Sequence, residues 1–206
     1  MASQTHGHLM ILTIPHCERL DMTKILIAYG TTEGHTARIA ECIADVIRGQ
    51  GHEADALDLK RSRDAVMDPY DAAIVGGSIH MGKHDEHVRD FVRRNRAALE
   101  RRPSAFFSVS LAAHGDMENA RAYVEKFEQE TGWRPADVGY FGGALLYRQY
   151  GLHKRLMMKR IVHSKPGNLS LDTSRDHEYT EWDEVKRFAD DFLQQLVSKV
   201  ASKINN

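Results

Sequence analysis

The stretch KILIAYGTTEGHT, Lys24 through Thr36, decides how the rest of the chain is read. Ile25, Leu26, Ile27, Ala28 and Tyr29 make a continuous apolar run of the length of a buried strand. The run stops at a short polar loop rich in Thr and Gly. That loop opens a helix whose apolar positions Ile39, Ile43, Val46 and Ile47 recur at helical spacing. The start of a helix carries amides without intrahelical partners and the positive end of the helix dipole, so the loop is a ready anion seat. Thr31, Thr32 and Thr36 add hydroxyl donors, and Gly34 lets the backbone wrap closely. The loop lacks both the Lys of nucleoside triphosphate loops and the Gly-x-Gly-x-x-Gly of dinucleotide folds. What remains is a cradle for one terminal phosphate; the plainer alternative is a capped turn with Thr32 or Thr36 as N-cap.

Outward from this stretch, strands and helices alternate. Gly49 to Gly51 close the first helix, and Glu53 to Leu59 read as a weak second strand. Asp71 to Gly76 (DAAIVG) is a short apolar third strand ending in the loop GGSIHMGKH, followed by a helix from about His84 to Leu99 with Val88, Phe91 and Val92 inside. Ser104 to Leu111 (SAFFSVSL) is a fourth strand, rich in aromatic residues. Met117 to Thr131 is the next helix, Val138 to Leu146 the fifth strand, and Trp182 to Lys199 the last helix, with Asp183 and Glu184 in its first turn as the macrodipole prefers. Such alternation predicts an α/β fold, a three-layer sandwich around a five-stranded parallel sheet of order 2-1-3-4-5. In that order the carboxyl ends of strands one, three and four meet at the switch point, where ligands sit. Three loops of small residues converging there suit a flat ring held by backbone hydrogen bonds.

The chain has 206 residues, enough for one such domain. Its 28 basic and 29 acidic residues nearly cancel, which excludes a generally basic nucleic-acid binder. Cys17 and Cys42 form no Cys-x-x-Cys pair, so a reducing cytoplasm is the natural setting. Residues 1–21 have only a brief apolar run, Leu9 to Ile14, broken by Pro15, and make a poor signal peptide. They read as a leader or disordered tail, with 22–206 as the folded domain and Met22 as an alternative start.

These pieces resemble a flavodoxin-type FMN domain, and more closely the menaquinone-dependent protoporphyrinogen IX dehydrogenases of bacteria. The similarity rests on TTEGHT, GGSIHMGKH, PSAFFSVSLAA (Pro103 to Ala113) and GWRPADVGYFGGALLYRQY (Gly132 to Tyr150) leading into YTEWDEVKRFA (Tyr179 to Ala189). It implies FMN as cofactor, with Thr31, Thr32, Glu33, Gly34, His35 and Thr36 at the phosphate. Ser78, Ile79, His80, Met81 and Gly82, with Ser110, Leu111, Ala112, Ala113, Gly143 and Ala144, would frame the isoalloxazine. Where flavodoxins usually stack a Trp or Tyr on the ring, the second loop here offers His80 and Met81. The implied reaction oxidises protoporphyrinogen IX to protoporphyrin IX in haem biosynthesis and passes electrons to menaquinone or ubiquinone. It requires no covalent nucleophile, because the hard chemistry belongs to the cofactor.

Between Tyr147 and Thr180 the chain departs from a minimal flavodoxin. The segment Arg148 to Asn168 carries Arg148, Lys154, Arg155, Lys159, Arg160 and Lys165 and no acid. Leu152, Leu156, Met157, Met158, Ile161 and Val162 interleave, so a short helix would be basic on one side and apolar on the other. Such a helix can lie on the anionic inner face of the cell membrane, or act as a flap presenting Arg148, Lys154, Arg155, Lys159 and Arg160 to a carboxylated substrate. A core-packed helix with a solvated basic face is the ordinary alternative. His80, His84 and His87 are close in sequence but bring no Cys, and read as a helix start or polar ring contacts rather than a metal site. Cys42 reads as a small core residue. Two other functions compete: a diffusible flavodoxin-type electron carrier, which the near-neutral charge disfavours, and an FMN-dependent quinone reductase, for which no dinucleotide site is visible.

Overall fold

The computed structural model describes residues 22–164 and 169–204; the leader expected over residues 1–21 lies outside the described residues. The chain alternates β1 (Lys24–Gly30), α1 (His35–Gly49), β2 (Glu53–Asp58), β3 (Ala72–His80), β4 (Lys83–His84), α2 (Glu86–Arg101), β5 (Ser104–Ser110), α3 (Met117–Thr131) and β6 (Val138–Gly142). It continues through β7 (Ala144–Leu145), α4 (Leu152–Ser164), β8 (His177–Glu178) and α5 (Trp182–Ile204). Five parallel strands run in the order β2-β1-β3-β5-β6, the doubly wound arrangement expected from the sequence, and β4 adds an antiparallel arm to β3. β7 and β8 form a separate small ribbon.

Strand alternation divides the core between the two faces of the sheet. Ile25, Ile27 and Tyr29 of β1 pack with Phe107 of β5 against Ile39 and Ile43 of α1 and Phe192 of α5. Leu26 and Ala28 pack with Phe106 against Phe91 of α2, Phe127 of α3 and Trp133. A third, smaller cluster lies apart from the sheet: Leu145, Tyr147, Tyr150, Val162 and Leu169, beneath α4. Cys42 is only half-buried at the margin of the first cluster, not within it.

Two expected boundaries shift. The third strand does not end at Gly76; it continues through His80, because Gly77 and Ser78 still pair with Ser108 and Val109 of β5. The chain then reverses through the two-residue turn Met81-Gly82, both at positive φ (48° and 76°), into β4. Positive φ at both central positions gives a turn whose twist matches that of the flanking strands. The fifth strand is shorter than expected because the chain breaks at Gly143 and Ala144 joins the second ribbon. A Cβ at Gly142 would lie 2.0 Å from the Tyr179 carbonyl oxygen, so only glycine admits the returning segment there.

Candidate functional site

At the carboxyl end of β1, the residue preceding α1 is Gly34 at φ 85°, a left-handed pose natural to glycine. No side chain caps α1, and its first turn carries no acid. Neither Thr32 nor Thr36 is the N-cap, which removes the capped-turn alternative. Thr31 Oγ1 accepts from the Gly34 amide at 3.0 Å, Thr36 is buried and Thr32 faces solvent. The helix start is therefore left for an anion.

His35, the first residue of α1, is 7% exposed. The Thr180 hydroxyl donates to the Gly142 carbonyl, so it accepts from His35 Nε2–H at 2.7 Å. Nδ1 then carries the lone pair; it has no hydrogen-bond partner among the described residues and lies 4.0 Å from Glu178 Oε2. Burial lowers the imidazole pKa, the Glu178 carboxylate pulling the other way, so the ring sits neutral beside the loop.

A cavity of about 520 Å³ opens from this helix start along the ends of β3 and β5. Thr31, Glu33, His35 and Thr36 line one end; Ser78, Ile79, His80, Gly82, Ser110, Leu111, Ala112, Gly143 and Ala144 line the floor. Thr32, Gly34 and Ala113 adjoin it without lining it. Met157, Met158 and Ile161 from the insertion line it as well, where a flap was expected, and so do Tyr123 of α3 and Tyr150, which sequence reading missed. Met81 stands at the rim with its side chain fully exposed, so the aromatic at this mouth is Tyr123, across from Gly82.

The insertion supplies the outer wall. Tyr150, Lys154, Met157, Met158 and Ile161 follow one another at helical spacing on its inner side. Leu152, Leu156, Lys159 and Arg160 face outward and are exposed. The clean split into basic and apolar faces is thus corrected: apolar residues lie on both sides, because one set lines the cavity and the other faces solvent. Glu33, expected at the phosphate, lines the cavity beside Thr31 and also reaches this wall. It accepts from Tyr150 OH at 2.7 Å and pairs with the Lys154 ammonium, which also sits 4.5 Å from the centre of the Tyr150 ring. Burial, and then the Glu33 carboxylate, push the Tyr150 phenol pKa far up. Arg155 donates to the Tyr147 carbonyl at 2.8 Å, and Arg148 lies exposed outside the cavity. Of the expected substrate contacts, only Lys154 reaches the cavity.

His84 is buried, edge-on to Phe106 and Phe127, with Nε2 and the Ser108 hydroxyl 2.9 Å apart; burial holds its pKa down to about 3. It is a neutral core residue rather than a ligand facing solvent.

An anion seat at an uncapped helix start, joined to a slot floored by small residues at the strand ends, fits flavin mononucleotide. The volume is also within the roughly 300–1,000 Å³ of small-molecule pockets. Residues 26–172 match the flavodoxin domain, and the chain belongs to that family: it is an FMN-dependent oxidoreductase with a flavodoxin-like fold. More particularly, it is 34% identical over 173 residues to the protoporphyrinogen IX dehydrogenase [quinone] of Leishmania major, over 82% of this chain and 74% of that one. The protein of the same name from Escherichia coli strain K12 is 32% identical over 169 residues, covering 81% of this chain and 92% of its own. Among solved structures, oxidised flavodoxin 1 from Bacillus cereus matches with a TM-score of 0.51 at 17% identity, over 84% of this chain and 98% of that one. Among the described residues no helix is long and apolar enough to cross a membrane.

Proposed function

We propose that the chain oxidises protoporphyrinogen IX to protoporphyrin IX and passes the electrons to a quinone. The observation that carries this reading is the outer wall of the cavity. Met157, Met158 and Ile161 give the cavity at the strand ends an apolar outer wall across from the flavin seat. Methionine adapts to broad apolar surfaces, which suits both a macrocycle and a quinone ring. The names borne by the two curated relatives supply the substrate.

Thr31, Thr36 and the first amides of α1 would hold the FMN phosphate. Ser78, Ile79, His80 and Gly82, with Ser110 to Ala113 and Gly143 to Ala144, would frame the ring, and Tyr123 would close its outer side. Bound there, FMN supplies two-electron acceptance from the substrate and release to the acceptor. Residues of α4 exclude water from the chamber. The outward residues Leu152, Leu156, Lys159 and Arg160 suit shallow contact with an anionic bilayer, where a quinone resides. The folded domain is proposed to be 22–206, with residues 148–180 as the functional addition.

The test is anaerobic. Protoporphyrinogen IX should bleach the visible absorbance of the FMN-loaded protein, and a soluble menaquinone analogue should restore it. Absorbance that responds only to a partner reductase would replace this reading with that of an electron carrier.

A further inference from the structure

The phosphate loop contains no cation of its own, yet it would receive a dianion. From Thr31 to Thr36 its only charged side chain is the carboxylate of Glu33. The helix dipole provides about half a charge, which leaves a dianion under-compensated. Arg38, one turn into α1, is bonded to Glu178 and lies 5.0 Å from the Trp182 ring centre. His35 is neutral, with its Nε2–H on Thr180. One ammonium does reach the loop, from far away in sequence: Lys154 of α4.

We propose that Lys154 is the cation of the phosphate site, held ready on a seat made by Glu33 and Tyr150. The inference rests on the FMN reading above and adds a residue and a role to it. Lys154 lines the same cavity as Thr31, His35 and Thr36. Its ammonium is flanked by two attractive groups, the Glu33 carboxylate and the face of the Tyr150 ring. The seat is itself fixed: Tyr150 is 7% exposed and its hydroxyl donates to Glu33. An ammonium has three donors in all directions, so Lys154 can keep Glu33 and still serve a phosphoryl oxygen. Glu33 thereby positions the cation, while its own charge works against the dianion.

A plain structural latch is the rival explanation, and two substitutions separate them. Lys154→Met and Glu33→Gln both abolish the ion pair, so a latch predicts the same outcome for both. The cation role predicts opposite outcomes. Affinities for FMN and for riboflavin, which lacks the phosphate, are measured by flavin fluorescence quenching on the full chain, with circular dichroism as a check of folding. The wild-type chain should prefer FMN. Lys154→Met should lose about ten-fold or more in FMN affinity, the worth of one hydrogen bond to a charged group, while riboflavin affinity holds. Lys154→Arg should restore part of the preference, and Glu33→Gln, whose amide oxygen still accepts from the ammonium while the negative charge is gone, should keep or increase it. An unchanged FMN-to-riboflavin ratio in Lys154→Met, or equal losses in both variants, would overturn the proposal alone. A wild-type chain that does not distinguish the two flavins would overturn the cofactor reading and this proposal together.

Discussion

On one side of the cavity stand the ends of β1, β3 and β5, whose Ile25, Ile27, Ile74 and Phe107 are wholly buried; on the other stands α4, whose Leu152, Leu156 and Met157 are 77, 68 and 53% exposed. The strand side belongs to the main core and can open only if the whole domain opens. The α4 side rests on a small cluster of five buried residues, the Glu33–Lys154 pair and the Arg155–Tyr147 hydrogen bond. Elements with few buried contacts open at lower cost than the global fold. The difference teaches a division of labour: the rigid wall suits a permanent occupant, and the lightly anchored wall suits one that must come and go.

The hardest way to break that comparison is to hollow out the rigid side. Phe107→Ala should cost about 3–5 kcal/mol of global stability in chemical denaturation, as large-to-small changes at buried aromatics do. A loss below about 1 kcal/mol would mean that the strand wall is not the core it is described as.

Acid is a gentler probe of the same wall. His84 is held neutral with a pKa of about 3, against 6.5 for the free group, so the unfolded chain takes up the proton first as pH falls. The His84 contribution is complete above pH 6.5 and is lost progressively between 6.5 and about 3. The slope is at most about 1.4 kcal/mol per pH unit for one proton. The lowered pKa of His35 acts in the same direction. Denaturation measured across that range should show the loss, and His84→Gln should flatten it; an identical slope in the variant would place the acid sensitivity elsewhere.

The smallest effect is expected on the outer side of α4. Leu156→Gln should leave stability within about 0.5 kcal/mol of the wild type. It should nevertheless reduce co-sedimentation with vesicles containing anionic lipid. Unaltered vesicle binding would remove the outward face from the account of the quinone side.

What could be read from the chain follows the range of the interactions involved. Local composition and spacing suffice to place α3 at Met117–Thr131 and the start of β5 at Ser104. The Thr/Gly loop before α1 was visible for the same reason, but its lack of a side-chain cap was not. The hairpin at Met81-Gly82 was not, since methionine at positive φ gives no turn signal of the Asn-Gly kind, and the arm survives through its pairing of Ile79 with His84. The resemblance implies Glu33 beside the phosphate, but the partners of its carboxylate are not legible in the sequence. Its actual partners, Tyr150 and Lys154, lie 117 and 121 residues away, and no local pattern encodes such a meeting. Tyr123 was missed because on α3 it looks like one more residue of a polar helix, and only the hairpin brings Gly82 opposite it.

The glycine at 142 also decides how one border of the sheet is closed. Because the segment Tyr179–Thr180 can press onto the open side of β6, its Thr180 hydroxyl and Tyr179 amide take up the Gly142 and Gly143 carbonyls. That border of the sheet offers no free ladder there for a foreign strand to join. The opposite border is the six-residue β2, a short strand whose charged Glu53, Asp55 and Asp58 make it a poor template for a foreign strand.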